Sequence, residues 1–258
     1  MLGKKRIIFI VLCIIAMSLS GCSLSSKEEG QTDDTIQFIN ATSALITVDN
    51  GQDLKLFGGM KPTPENAEML KEALASSWDI TDTESAESMV QWLLTEGHNA
   101  EFMTYMDEYL ANKDEFNNIV AELDASSDTT PEQTQFKESI ELFENVHNAS
   151  PDNGIIAWDL CRATQVASWS YIAGHLSYER AVELSIDAMK KMQEHFTSWE
   201  DLIDNYLLGY QYWSEDSPSD PDSTLVRRQK IYDDLVKSSD SPYSVDWNTT
   251  PSMPAAKE

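Results

Sequence analysis

The chain has 258 residues, with 44 acidic and 18 basic side chains and a formal net charge of −26. That charge excludes nucleic acid and anionic lipid head groups as natural partners, favours cationic proteins or loosely held cations, and keeps a domain soluble and monomeric. Three cysteines cannot build a disulfide framework, so the fold must rest on a hydrophobic core, which a chain of this length can supply.

Lys4, Lys5 and Arg6 open the chain as a basic head. Residues 7–17 (IIFIVLCIIAM) follow as an apolar run. The run is too short for a membrane-spanning helix, which takes roughly 20 residues, and has the length of a signal-peptide core. Leu19, Ser20, Gly21 and Cys22 then match a lipobox. Small side chains at 20 and 21 admit the peptidase, and the Cys22 thiolate takes the diacylglycerol. The expectation is a signal peptide over 1–21 and a mature chain held by Cys22 in the membrane, on its extracytoplasmic face. The attached acyl chains hold firmly, because each buried methylene contributes about 0.8 kcal/mol. Without residues 1–21, 15 basic side chains stand against 44 acidic ones, a net of −29. Cys13 leaves with the signal peptide and Cys22 is consumed, so Cys161 remains without a disulfide partner. Residues 22–34 lack apolar periodicity and read as a flexible tether spanning roughly 20 Å.

Residues 35–50 can be read in two ways. Their β-branched content and the Asn50-Gly51 step suit a hairpin with a second strand over 54–57. Against this, Ile36, Ile39, Ser43 and Ile46 share a helical face and Gly51 stands at a C-cap position, so helix is preferred. From Thr63 onward every signal is helical. Thr63-Pro64-Glu65 is an N-terminal signature, followed by Ala67, Leu70, Leu74 and Trp78 at helical spacing. Thr81 with Glu84 reads as a capping box for a helix that buries Ala86, Val90, Leu93 and Leu94 and ends at Gly97. Phe102, Met106, Tyr109 and Leu110 mark the next helix, and Phe116, Ile119, Val120 and Leu123 a shorter one. Thr130-Pro131 starts another, ended by residues 149–154. Residues 155–173 are apolar on nearly every face, the mark of a central buried helix. Ser177 and Ser198 open the two helices that follow, and a last helix, beyond the acidic loop 214–223, runs to about Lys237. The prediction is an all-α, irregular bundle of about eight helices in one domain over 35–237, with 238–258 as a disordered tail.

WDLCR (158–162), GHLSYERA (174–181) and FTSWEDLIDNYLLGYQYW (196–213) carry a family resemblance, supported upstream by Trp78-Asp79-Ile80 and Gly97-His98. Over about residues 60–215 the chain resembles the bacterial family catalogued as domain of unknown function 1266. The last motif, with Ser198-Trp199, Tyr206, Gly209 and Trp213, is the most specific. His175 departs from the pattern, which has a tyrosine there. The resemblance implies a helical bacterial domain and no particular reaction.

Arg162 is the most informative polar residue. It lies in the buried helix with Trp158 one turn before it and Asp159 at i−3. A guanidinium keeps its charge and needs a partner inside a core. If 155–173 and 178–195 fold back as an antiparallel hairpin, residue 162 faces about residue 189, so Asp159, Asp187 or both are the expected partners. The alternative is an anion-binding arginine in a pocket. Six tryptophans (78, 92, 158, 169, 199, 213) fall mostly on apolar stripes and read as core, although a cluster around a cleft would suit sugar or peptide. Glu144 and His147 have the Glu-x-x-His spacing of di-iron bundles, without the second copy such sites need. The loop 214–223 lacks the ligand order of a calcium hand. No metal or cofactor is expected.

No nucleophile motif is present, and Cys161 in the buried helix reads as an inert thiol. The leading expectation is a non-enzymatic envelope lipoprotein that binds a protein or peptide. One alternative is a hydrolase or transferase on an envelope substrate, with Asp159, Arg162, Glu179 and Tyr206 lining its cleft beside Trp158, Ser198, Trp199 and Trp213. The other is neutralisation of a toxin at the cell surface. An open pocket exposing those polar groups favours the enzyme, and their burial favours the binder.

Overall fold

A computed structural model describes residues 33–126 and 129–254. The lipobox residues 19–21 and Cys22 lie outside the described residues, as does the tether up to residue 32. Among the described residues all regular structure is helical, and no helix there is long and apolar enough to cross a membrane.

Residues 35–50 are helical: α1 (Asp34–Thr42) and α2 (Ala44–Asp49) meet at Ser43, and Asp33 caps α1 through Thr35 N–H. The proposed strand over 54–57 is instead a turn that leads into a 3-10 turn, Phe57–Gly59. Then follow α3 (Pro64–Trp78), capped by Thr63, and α4 (Thr83–Thr95). The capping box of α4 uses Asp82 and Ser85, not Thr81 and Glu84, because the carboxylate of Asp82 is the group that reaches the orphan Ser85 N–H. Next come α5 (Asn99–Ala111), α6 (Lys113–Asp124) and α7 (Pro131–Ala149). The chain continues through α8 (Ile156–Ala173), α9 (Tyr178–His195), α10 (Trp199–Ser214) and α11 (Thr224–Lys237).

The long apolar segment is the axis of the molecule. Of the 18 residues of α8, 14 are buried, and the helix packs against α3, α4, α9 and α10. Leu74, Val90, Leu160, Leu184 and Leu202 meet in its main core. A second, smaller core of Phe102, Met106, Leu142, Val146 and Ile155 joins α5 and α7 to the start of α8. On that side α6 buries no residue and is held by Phe116, whose ring sits 5.8 Å from Tyr109 and 6.1 Å from Phe136.

The end of the chain corrects the expectation of a disordered tail. Residues 238–254 run back across α9 and α10 to α1. Trp247 is only 9 % exposed, with its ring 5.4 Å from Phe38 and 5.1 Å from Trp199. Gln193 Nε2 donates to the carbonyls of Trp247 and Thr249, and Trp199 Nε1 donates to that of Val245. The segment lacks helical periodicity yet carries Tyr243, Val245 and Trp247 at every second position. These side chains dock an irregular strap that includes a 3-10 turn, Pro242–Ser244, and their burial outweighs its chain entropy.

Candidate functional site

The start of α8 and the start of α5 hold each other. Helix termini leave backbone N–H groups without intrahelical partners, and neither helix has a side-chain cap of its own. Asp159, on α8 and 1 % exposed, fills the gap at α5. Its Oδ1 accepts from His98 N–H at 3.0 Å and its Oδ2 from Asn99 N–H at 2.8 Å. Asn99 returns the bond, its Oδ1 accepting from Ile155 N–H at 2.7 Å. Asn205 of α10 completes the frame by accepting from Ala157 N–H and donating to the Gly154 carbonyl. Asp159 Oδ1 also meets His98 Nδ1 at 2.7 Å, which assigns the proton to Nδ1 and leaves Nε2 as the basic nitrogen.

Glycines allow these approaches. Gly97 has φ +55°, and a Cβ there would lie 2.2 Å from Asp159 Oδ2; at Gly209 a Cβ would lie 2.4 Å from Trp158 Cβ.

Trp158 stands beside this junction, its ring 5.3 Å from Tyr206, 5.6 Å from Tyr210 and 5.4 Å from Trp213. Arg162 lies one turn further along α8, half-buried. Its guanidinium carbon sits 4.5 Å from the ring centre of Trp78 and 5.1 Å from that of Trp158. Its Nη1 donates to Gln165 Oε1. Among the described residues no carboxylate lies within ion-pair distance of it; Arg228, nearby, has one. Arg228 is 6 % exposed, bonds Tyr206 Oη at 3.1 Å and Asp49 at 3.3 Å, and lies over the Tyr210 ring at 4.1 Å.

The electrostatics differ accordingly. Burial pushes the Arg162 guanidinium down to about 10, with Tyr206 opposing the shift and the second cation, Arg228, adding to it. Burial also works against Arg228, but Tyr206, Tyr210 and Asp49 outweigh it and hold that guanidinium up. Arg162 stays cationic at neutral pH, half-buried between two aromatic rings, with no described carboxylate in ion-pair contact and Asp159 acting on it only from further off.

These converging residues are those of the sequence motifs. A family model described as protein of unknown function (DUF1266) matches residues 73–251. The chain belongs to that family. No curated protein and no solved structure matches it.

The family match reaches further toward the C-terminus than the resemblance over 60–215, and takes in most of the packed strap. Of the candidate residues, the fold gathers Trp158, Asp159, Arg162, Tyr206 and Trp213. It separates the others. Glu179 is exposed in the first turn of α9, at the opposite end of the α8–α9 pair from Arg162. Ser198 is spent as the cap of α10, accepting from Asp201 N–H. Trp199 packs 4.4 Å from Phe38, under the strap.

The expected pairing of Arg162 with Asp159 or Asp187 is corrected. The α8–α9 hairpin forms, but Asp187 points outward beside Lys190 at 3.4 Å, since Leu184, Ala188 and Met192 take the α8-facing side. Asp159 turns toward the α5 terminus instead. Glu144, the acid of the Glu-x-x-His spacing, is engaged by Tyr109 at 2.7 Å and Lys113 at 3.0 Å. Among the described residues no three His, Cys, Asp or Glu side chains are grouped to hold a metal. Cys161 is buried, and that burial pushes its thiol well up.

Sequence reasoning missed Asn99, Gln165, Asn205 and Arg228. An asparagine or glutamine inside an otherwise apolar helical stripe was the available signal, since such a group is buried only with a partner.

Proposed function

We propose that this chain is a lipid-anchored, extracytoplasmic binding module that takes a protein or peptide partner at the cell envelope. The observation that carries the reading is how the motif residues use their polar atoms. Asp159, the carboxylate that a hydrolytic reading needs, accepts three donors as the cap of another helix. Tyr206, 3 % exposed, is tied to Arg228. The shallow polar groove between residues 33–35 and 246–252 is lined by none of the motif residues. The group left over is Arg162 in its tryptophan frame, an arrangement suited to holding a ligand rather than transforming one. Anchoring rests on the lipobox at 19–22 and confines the partner to the envelope and its surroundings.

Crosslinking the anchored protein in its own cells, followed by mass spectrometry, tests the reading. A reproducible partner that disappears when Cys22→Ala releases the anchor is the expected result. Intact crosslinking chemistry with no reproducible partner would overturn it.

A further inference from the structure

Three hydrogen-bond donors on one face of α8 are buried without an acceptor among the described residues: Trp158 Nε1, Arg162 Nε and Gln165 Nε2. Their spacing, i, i+4 and i+7, sets them in a row along the helix. They are also close in space. Gln165 accepts from Arg162 Nη1, which fixes its amide with the oxygen toward the guanidinium and the NH2 group turned away from it. The Trp158 ring centre is 5.1 Å from the Arg162 guanidinium carbon. Trp158 and Gln165 are 1 % and 2 % exposed, whereas Arg162 is half-buried and reaches solvent.

A buried donor without an acceptor costs about 1–3 kcal/mol, and an unpaired cation more. Here three donors and a cation without an ion-pair partner follow one another along one helix face. The other unpaired buried polar atoms among the described residues, on Asn40, Ser170, His175 and Tyr243, are scattered over α1, the end of α8, the α8–α9 turn and the C-terminal strap. All three are donors and the charge is positive. The group that completes them is therefore an anion with hydrogen-bond acceptors.

The fork narrows the class. With Nη1 taken by Gln165, Arg162 presents the edge formed by Nε and Nη2, whose two N–H groups match the two oxygens of a carboxylate. The Trp78 and Trp158 rings, 4.5 and 5.1 Å from the guanidinium carbon, flank the fork, so a planar carboxylate lying in its plane meets less crowding than the out-of-plane oxygens of a phosphate. Trp78 and Trp213, both half-buried at the rim, offer ring surface for an apolar or aromatic body. We propose that the α8 edge at Arg162, Gln165 and Trp158 binds the carboxylate of a peptide next to an aromatic or apolar residue. The proposal rests on the reading of the domain as a peptide-binding module and names the chemistry of the bound group.

The test uses the purified full chain in detergent, followed by tryptophan fluorescence. Three probes are titrated: acetyl-Phe-Ala with a free C-terminus, the same dipeptide as its amide, and acetyl-Phe-Glu amide. Inorganic phosphate serves as a fourth. A saturable change with one or both carboxylate peptides, absent with the neutral amide and with phosphate, is expected. Which acid binds tells a chain end from a side chain. Arg162→Gln should weaken binding at least tenfold.

Two further variants separate binding from folding. Arg162→Met should abolish binding without lowering the melting temperature, since it removes an unpaired cation and keeps the stem. Gln165→Leu should weaken binding several-fold while the guanidinium remains. Equal binding of acid and amide, equal binding of phosphate, or no saturable change would each overturn the proposal. So would a collapse of the Arg162→Met melting temperature together with unaltered binding by Gln165→Leu. Carboxylate binding by the purified chain alongside a failed crosslinking experiment would sink the envelope-partner reading alone.

Discussion

Asp159 and Arg162 are three residues apart on one helix and have opposite fates, decided by what surrounds each. Asp159 meets three donors, two of them backbone N–H groups at the positive end of α5, so its charge is stabilised where it is buried. Replacing it by asparagine puts an NH2 group against those donors. Asp159→Asn should cost about 3 kcal/mol, read from urea denaturation of the full chain. His98→Gln should cost only about 1 kcal/mol, because both backbone donors keep their acceptor. If His98→Gln proved as damaging as Asp159→Asn, the imidazole and not the capping would be the point of the contact. The sequence singled out both residues of α8 and offered Asp159, Asp187 or both as partners of Arg162. It could not show that a terminus 60 residues upstream would claim the carboxylate, because trans-capping leaves no periodic trace.

At the scale of elements, the helices were legible wherever a cap and a 3.6-residue stripe coincided: Thr63, Thr130, Ser177 and Ser198 each begin a helix as expected. The buried axis showed in the run of apolar residues over 155–173. What did not show was the strap. A segment with prolines and serines reads as unstructured on composition, and its docking depends on a surface assembled by Phe38, Trp199 and Tyr232, which are distant in sequence. Phe38 is 0 % exposed, packed between Trp199 of α10 at 4.4 Å and Trp247 of the strap at 5.4 Å, so Trp247 supplies part of its cover. Trp247→Ala should therefore cost about 3 kcal/mol, measured by urea denaturation. It should loosen α1 as well, seen as faster amide exchange at Phe38 and Ile39. A cost below about 0.5 kcal/mol, the range of a surface substitution, would mean that the strap rests on the bundle without stabilising it.

For the whole molecule, the surplus of acid is the dominant field. Many described cations are already spent in pairs, among them Arg180 with Glu87, Arg227 and Arg228 with Asp49, and Lys113 with Glu144. A net of −26 is thus left as carboxylates that repel one another across the folded body and less so in the expanded chain. A domain of this size has a radius of gyration of about 17 Å. The screening length is about 30 Å in 0.01 M salt and about 8 Å in 0.15 M. Repulsion therefore spans the molecule in the first condition and is local in the second. Raising NaCl between these limits at pH 7 should raise the melting temperature by about 2–4 °C, the shift that roughly 1 kcal/mol produces in a domain this long. MgCl2 at matched ionic strength should do no more, since diffuse screening is indifferent to a bound site; a larger gain would reveal a divalent site among the acidic loops. The same field sets the sign for ligands: a carboxylate at Arg162 should bind more tightly as salt screens the acidic surround, whereas a cationic partner on the outer surface should bind less tightly. A flat or falling melting temperature with added NaCl would show that the ion pairs, which salt weakens, outweigh the repulsion of the surplus.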